Sequence, residues 1–293
     1  MLMACRDGLF DRVQALVTTW PSIVRSAYNY MPPLHLAVRE GHLEIVRDLA
    51  GRGAVNPKYL TYPYQETLRT VALDRGYAEI AQVLDEHGPL ADPDRPPDDG
   101  GHIETDSDFE RHRFERLIGA NAIDLVEEML QKREELATDP MSFWAEGVLS
   151  SPAGNHHRAM VELLMKYGAR VPSMTKWGAF YYFKHEDLAA MFLERGADPN
   201  HMNCHRTTVL HEMARLGEIG KATRLLDHGA DIDAVDQEFR STPLGFAARW
   251  GQRAMVRLLL DRGADRGKSG APWATPVAWA RAKGHATIAR DLS

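Results

Sequence analysis

Cysteine is scarce in this chain: two in 293 residues, Cys5 and Cys204. That leaves no disulfide framework and makes a reducing cytosol the natural setting. Long apolar runs are missing too. No stretch approaches the ~18 residues of a membrane span, and the opening Met1-Leu2-Met3-Ala4-Cys5-Arg6-Asp7 lacks the form of a signal peptide. Membrane insertion is therefore not expected. Nor is positive charge in surplus, since 35 Lys and Arg stand against 41 Asp and Glu, a formal net charge of −6. Without a basic stripe, nucleic acid is not expected as a partner. What remains, with 44% hydrophobic and 26% charged residues, is ordinary globular material expected in the cytoplasm.

What the chain does have is a period. Gly-Ala-Asp stands at Gly196-Ala197-Asp198, Gly229-Ala230-Asp231 and Gly263-Ala264-Asp265, spaced 33 and 34 residues apart. Each follows a compact apolar helix end such as Val256-Arg257-Leu258-Leu259-Leu260, and about twelve residues later a helix start appears, as in Thr242-Pro243-Leu244 or Thr275-Pro276-Val277. Thr is a good N-cap, and Pro at the first helical position loses no hydrogen bond. Small Ala37, Ala247 and Ala280 allow close helix approach. Gly41, Gly217, Gly251 and Gly284 suit a left-handed turn ending the first helix. Leu43, Ile45, Val46 and Leu49 then form one apolar stripe of a second helix.

These phrases, Pro32-Pro33-Leu34-His35-Leu36-Ala37 with Gly41-His42 above all, resemble the ankyrin repeat family. The wording of Thr275 to His285 and of Pro21-Ser22-Ile23-Val24 is similar to bacterial members. The resemblance implies an all-α solenoid of about nine helix-turn-helix units with short β-hairpin or loop fingers. It also implies a concave face of fingers and first helices that takes protein partners. A solenoid has no central cleft, so recognition is expected and catalysis is not. Along such an array Cys5 and Cys204 lie too far apart for the ~7 Å of a disulfide.

Two irregularities divide the chain. Only 28 residues separate Gly168 from Gly196, and the deficit before Thr175 predicts a finger missing or reduced to a turn. Residues 89–108 fit no repeat: four prolines, Gly100-Gly101 and seven acids against one Arg95 read as a flexible acidic loop. The expected organisation is N-terminal repeats at 1–88, the loop at 89–108, degenerate repeats at 109–203 and regular repeats at 204–293.

The motifs that could carry chemistry fall short. Gly263 to Ser269 is one residue too short for a phosphate loop and leaves a helix rather than a strand. His211-Glu212-Met213-Ala214-Arg215 has Arg where a zinc protease needs its second His. His201, Cys204 and His205 offer three metal ligands with no fourth in sight. No cofactor or metal is expected. The expected function is a non-catalytic, monomeric scaffold for an unidentified protein, with Tyr59, Tyr62, Tyr64, Gln237, Phe239, Arg240 and Trp273 on the finger tips as partner-binding residues. The rival is a ligand- or metal-binding, even enzymatic, repeat protein with a pocket in the irregular middle around His156, Trp177, Tyr181, His201 and His205. The ring cluster of Trp177 and Phe180 to Phe183 is expected to be core.

Overall fold

The structure, a computed structural model, describes residues 1–27, 31–56, 58–61, 64–87 and 106–293, with side chains from 110 onward in the last span. Tyr62 and residues 89–105 of the acidic stretch lie outside these. Among the described residues the chain is α-helical, and no strand forms. Of the β-hairpin or loop fingers expected, the described ones are loops, with two isolated bridges at Met202, parallel to Met174 and antiparallel to Thr208. Two compact units are present, Met1–His102 and Ile103–Ser293.

In the first unit three helix pairs follow one another: Leu2–Arg6 with Phe10–Thr19, Pro33–Glu40 with Leu43–Gly51, and Leu68–Asp74 with Ala78–Glu86. Their facing stripes make one core, in which Val13, Val17, Leu34, Val38, Val46 and Leu49 are fully or almost fully enclosed. The small residues Ala37 and Ala72 are buried within it, where larger side chains would hold the first helices apart.

The second unit opens with the helix Asp106–Gly119, which begins three residues inside the stretch expected to be loop. It pairs with Ile123–Lys132. After the short turn Ser142–Ala145 come Ser150–Gly154 with Arg158–Lys166 and Gly178–Tyr181 with Glu186–Glu194. The series ends with Val209–Leu216 and Ile219–Asp227, Pro243–Arg249 and Arg253–Asp261, and Pro276–Ala282 and Ala286–Leu292. The sequence shows only the second half of the pair around Met160 plainly. The structure supplies its first helix, Ser150–Gly154, and His156 takes the left-handed position that glycine fills elsewhere, at φ 60°. Asn121 does the same at φ 54°.

The starts of the first helices are capped as their sequence dictates. Thr208, Thr242 and Thr275 accept from the backbone N–H of His211, Gly245 and Ala278. The helix pairs are also bound to each other through one recurring position. The residue after the left-handed glycine reaches back to a carbonyl of the preceding pair: His42 Nε2 to Arg6 O at 2.9 Å, Gln252 Nε2 to Arg215 O at 2.9 Å and His285 Nε2 to Arg249 O at 3.1 Å. Each then lies over that pair's own glycine. A Cβ on Gly251 would come 2.7 Å from the His285 ring, so this site needs glycine both for its φ of +75° and for the contact.

Between Arg158–Lys166 and Gly178–Tyr181 only residues 167–177 connect, against 195–208 between the next pairs. Tyr182 and Phe183 are buried there, while Trp177, Phe180 and Tyr181 are half-buried. The Tyr181 ring sits where a Cβ on Gly154 would come within 3.0 Å of it.

Gly251→Ala and Gly263→Ala separate the two demands. Both glycines are left-handed, at φ +75° and +90°, but a Cβ on Gly263 meets nothing within 4 Å. Gly263→Ala should cost about 1 kcal/mol for the left-handed backbone, and Gly251→Ala at least about 1 kcal/mol more for the displaced histidine. Urea denaturation of the two variants measures the difference, and equal costs would show that the His285 contact carries no weight.

Candidate partner-binding surface

The fingers of the last three pairs are built from backbone hydrogen bonds rather than strands. Asp236 is the centre of one. Its buried carboxylate accepts from the N–H groups of Glu238 at 2.8 Å, Phe239 at 2.9 Å and Ser241 at 3.0 Å. Burial pushes this carboxyl up to about 7, against the pull of the N–H groups, which favour its charged form. The finger is tied to its neighbours on both sides: Gln237 N–H donates to His205 O at 2.8 Å, and Gly270 N–H donates to Arg240 O at 2.6 Å. Gln237 and Arg240 are exposed on this frame, Arg240 with its backbone at φ 52°.

Phe239 is a correction to the sequence reading. It is 2% exposed and belongs to the core, not to the surface. Its ring meets Phe246 and Trp250 edge to face, at 5.2 and 5.4 Å, and the Arg249 guanidinium lies 4.8 Å from its centre. Arg249 also stands 5.0 Å from Trp250 and 4.3 Å from Trp279. A cation enclosed by three aromatic faces is favourable once water is removed. The sequence signal for this cluster is the aromatic content of one repeat and its neighbours, with no residue marking which rings turn inward.

The other expected contacts are placed as follows. Trp273 is half-buried and packs edge to face on Trp279 at 5.7 Å. Tyr59 is half-buried, and its hydroxyl lies 2.7 Å from His35 Nδ1, so the ring leans back onto the helix Pro33–Glu40. Tyr64 is half-buried. Tyr62 falls outside the described residues.

The residues of the imagined middle pocket serve local structure. His201 is buried, with Nδ1 on Pro172 O and Nε2 3.0 Å from Thr175 Oγ1, and a Cβ at Gly178 would collide with it. Desolvation lowers its pKa. His156 stacks on His185 at 4.3 Å and meets Asp187 through Nε2 at 2.9 Å. Cys204 is exposed and Cys5 buried, its thiol pushed up to about 11 by desolvation. Among the described residues no group of three or more His, Cys, Asp or Glu is arranged to hold a metal ion. The turn Gly263 to Ser269 is closed locally by Asp265, which accepts from Gly267 N–H at 2.8 Å.

Two exposed rings escaped the sequence reading, Trp20, 58% exposed, and Trp144. Trp144 is 88% exposed at the finger tip between Ile123–Lys132 and Ser150–Gly154. Its only signal was position, in Pro140-Met141-Ser142-Phe143-Trp144 between two units.

Helix pairs stacked through shared apolar stripes, with looped fingers on one side, define a helical repeat protein. A family model described as ankyrin repeats, in three copies, matches residues 176–269, and a single ankyrin repeat model matches residues 29–61. Over these residues the chain carries ankyrin repeats, and repeats of this kind form interaction modules. It is similar over 83 residues to the ARF GTPase-activating protein Git of Drosophila melanogaster, at 37% identity. Over 83 residues it is 39% identical to the ARF GTPase-activating protein GIT2 of Mus musculus. The match covers 28% of this chain and 11% and 12% of those proteins, so the chain spans about a tenth of their length.

His211 gives this surface a pH dependence. Fully buried, it accepts the Thr208 N–H at Nδ1 (3.2 Å) and donates from Nε2 to Ser241 O at 3.1 Å, at the foot of the Asp236 finger. Desolvation pushes its pKa down from 6.5 to about 4. The fold therefore favours the neutral ring: its contribution is complete above the unfolded value and is lost as pH falls through the folded one. Between neutral pH and about pH 4 the loss should reach about 3 kcal/mol. Denaturation of wild type and His211→Gln across that range should show the variant less stable at neutral pH and the gap closing on acidification. Parallel curves would assign the acid sensitivity elsewhere.

Proposed function

We propose that the chain is a non-catalytic scaffold that binds a protein partner through its fingers and first helices. The observation that carries this reading is the tying of adjacent fingers through backbone bonds on either side of Gln237 and Arg240. A surface fixed before contact loses little ordering entropy on binding, so modest exposed groups gain useful affinity. In this reading Gln237, Arg240 and Trp273 form one contact row, and Tyr59 and Tyr64, with Tyr62, form another on the first unit. The scaffold acts as a monomer in the cytoplasm. No described helix is long and apolar enough to cross a membrane. The GTPase-activating role in the names of the similar proteins is theirs, and an 83-residue match gives no ground to carry it over. The His201 and His156 environments, each closed by local bonds, give no support to a ligand pocket in the middle units.

The test is affinity capture of the partner, followed by titration of the purified full chain. Arg240→Glu combined with Gln237→Ala should weaken binding about tenfold or more, near 1.4 kcal/mol, while the melting temperature moves by less than about 2 °C. Undiminished binding by this double variant would place the contact elsewhere.

A further inference from the structure

The acidic total of the chain hides a basic end. Residues 249–293 carry nine Lys and Arg against three Asp and no Glu. Residues 103–248 of the same unit hold sixteen Lys and Arg against twenty-four Asp and Glu. The positive surplus is therefore confined to the last helices, and its neighbours in the sequence carry the opposite sign.

The structure gathers these cations around one carboxylate. Arg253 and Arg257 stand one turn apart on the helix Arg253–Asp261. Arg253 Nε donates to Asp291 Oδ2 at 2.9 Å, and Arg266, on the turn that follows, donates from Nη1 to Asp291 O at 3.3 Å. Arg290 directly precedes Asp291, with its Nη2 3.5 Å from Thr287 Oγ1. The hydrogen bond from Arg253, and then the charges of Arg253, Arg257 and Arg290, hold the Asp291 carboxyl below its ordinary value. All four arginines are exposed. Arg281 donates to Ser293 Oγ at 3.3 Å on the same last helix pair, and Arg262 is paired with Asp227 at 2.8 Å. The other acids of this end are Asp261, exposed one turn beyond Arg257, and Asp265, which accepts Gly267 N–H. The bond from Arg253 to Asp291 joins the last helix to the one before it. That structural role accounts for one arginine of the four.

The kind of cation and the size of the patch decide the occupant. A guanidinium fork takes a carboxylate or phosphate through two parallel bonds, which a lysine cannot do. The anion already seated among these forks is a carboxylate. The patch runs along a helix of nine residues, about 14 Å long. A nucleic-acid duplex or an anionic lipid surface extends beyond that length and meets the surplus acid of the preceding helices. A short acidic segment does not. We propose that Arg253, Arg257, Arg266 and Arg290 form a docking site for a short acidic segment of a partner protein, whose carboxylates join Asp291 among the guanidinium groups. Exposed ion pairs contribute little singly, so the affinity comes from several carboxylates engaged together. The proposal rests on the scaffold reading above and gives it a second contact, on the last helices rather than on the fingers.

The experiment titrates the purified full chain into a fluorescein-labelled peptide of alternating Glu and Ser and follows its anisotropy. The same peptide with Gln for Glu is the control. At low salt the Glu peptide should bind at least about tenfold more tightly, and the difference should shrink as salt is raised. Arg257→Glu combined with Arg290→Glu should weaken Glu-peptide binding about tenfold or more. Its melting temperature should stay within about 2 °C of wild type, because both side chains are exposed. Arg257→Lys with Arg290→Lys keeps the charge and should stay within about threefold. Asp291→Asn removes the competing carboxylate and should tighten the peptide about threefold, whereas arginines that only join helices would bind no peptide in either form. A Glu peptide bound no better than the Gln peptide, or a charge-reversed double variant within about twofold of wild type, overturns the site. Tighter binding of duplex DNA or of phosphatidylserine-containing vesicles than of the peptide overturns it too. So does a dimer in sedimentation velocity that the charge reversal dissolves, because the occupant is then a second copy. Arg240→Glu on the finger should leave peptide binding within about twofold. The two readings thus fail separately: a captured partner indifferent to the finger variant removes the finger surface, and a peptide indifferent to the arginines removes this one.

Discussion

The rest of this structure depends on a shared face. A helix pair as short as Val209–Leu216 with Ile219–Asp227 has too little interior of its own. It is ordered because Leu210, Met213, Ala222 and Leu225 are covered when the next pair stacks on it. The polar bonds of His42, Gln252 and His285 to preceding carbonyls fix the register of that stacking, since each bridges one pair to the next. Removing the apolar stripe would leave these bonds with nothing to align. Removing the bonds would leave a stack free to slide.

From that register follows the geometry of the fingers. His211 joins Ser241 O, and in the next pair, where Gly245 stands in the histidine's place, Ser241 Oγ donates to Ala274 O at 2.9 Å. The ladder continues with a different donor. A Cβ on Gly245 would occupy the space of that hydroxyl, which explains why the substitution of His by Gly goes with a serine four residues earlier. The fingers above, held by Asp236 and by their mutual backbone bonds, inherit this order and present their side chains without strands.

Much of the fold was legible in the sequence because its determinants are local and repeated. Thr-Pro starts, left-handed glycines and the apolar stripe each act within a few residues, so Thr242-Pro243 or Gly251 declares itself. Positions where another residue takes the role were harder: His156 and Asn121 adopt the glycine conformation with nothing in the letters to announce it. The surface was less legible still. Phe239 and Gln237 lie two residues apart on one finger, yet one is core and the other exposed, because a non-local arginine and two distant tryptophans decide the turn of the ring. Trp144 was invisible for the opposite reason: its exposure results from a backbone conformation that its sequence disfavours.

The central claim is that the fingers are as ordered as the helices they crown, so that partners meet a preformed surface. Native-state hydrogen exchange on the free full chain measures this directly. The account predicts that the amides of Glu238, Phe239 and Ser241, which bond Asp236, exchange as slowly as those within Pro243–Arg249. Exchange of these three amides at the rate of an unprotected chain, while the helix stays protected, would contradict it.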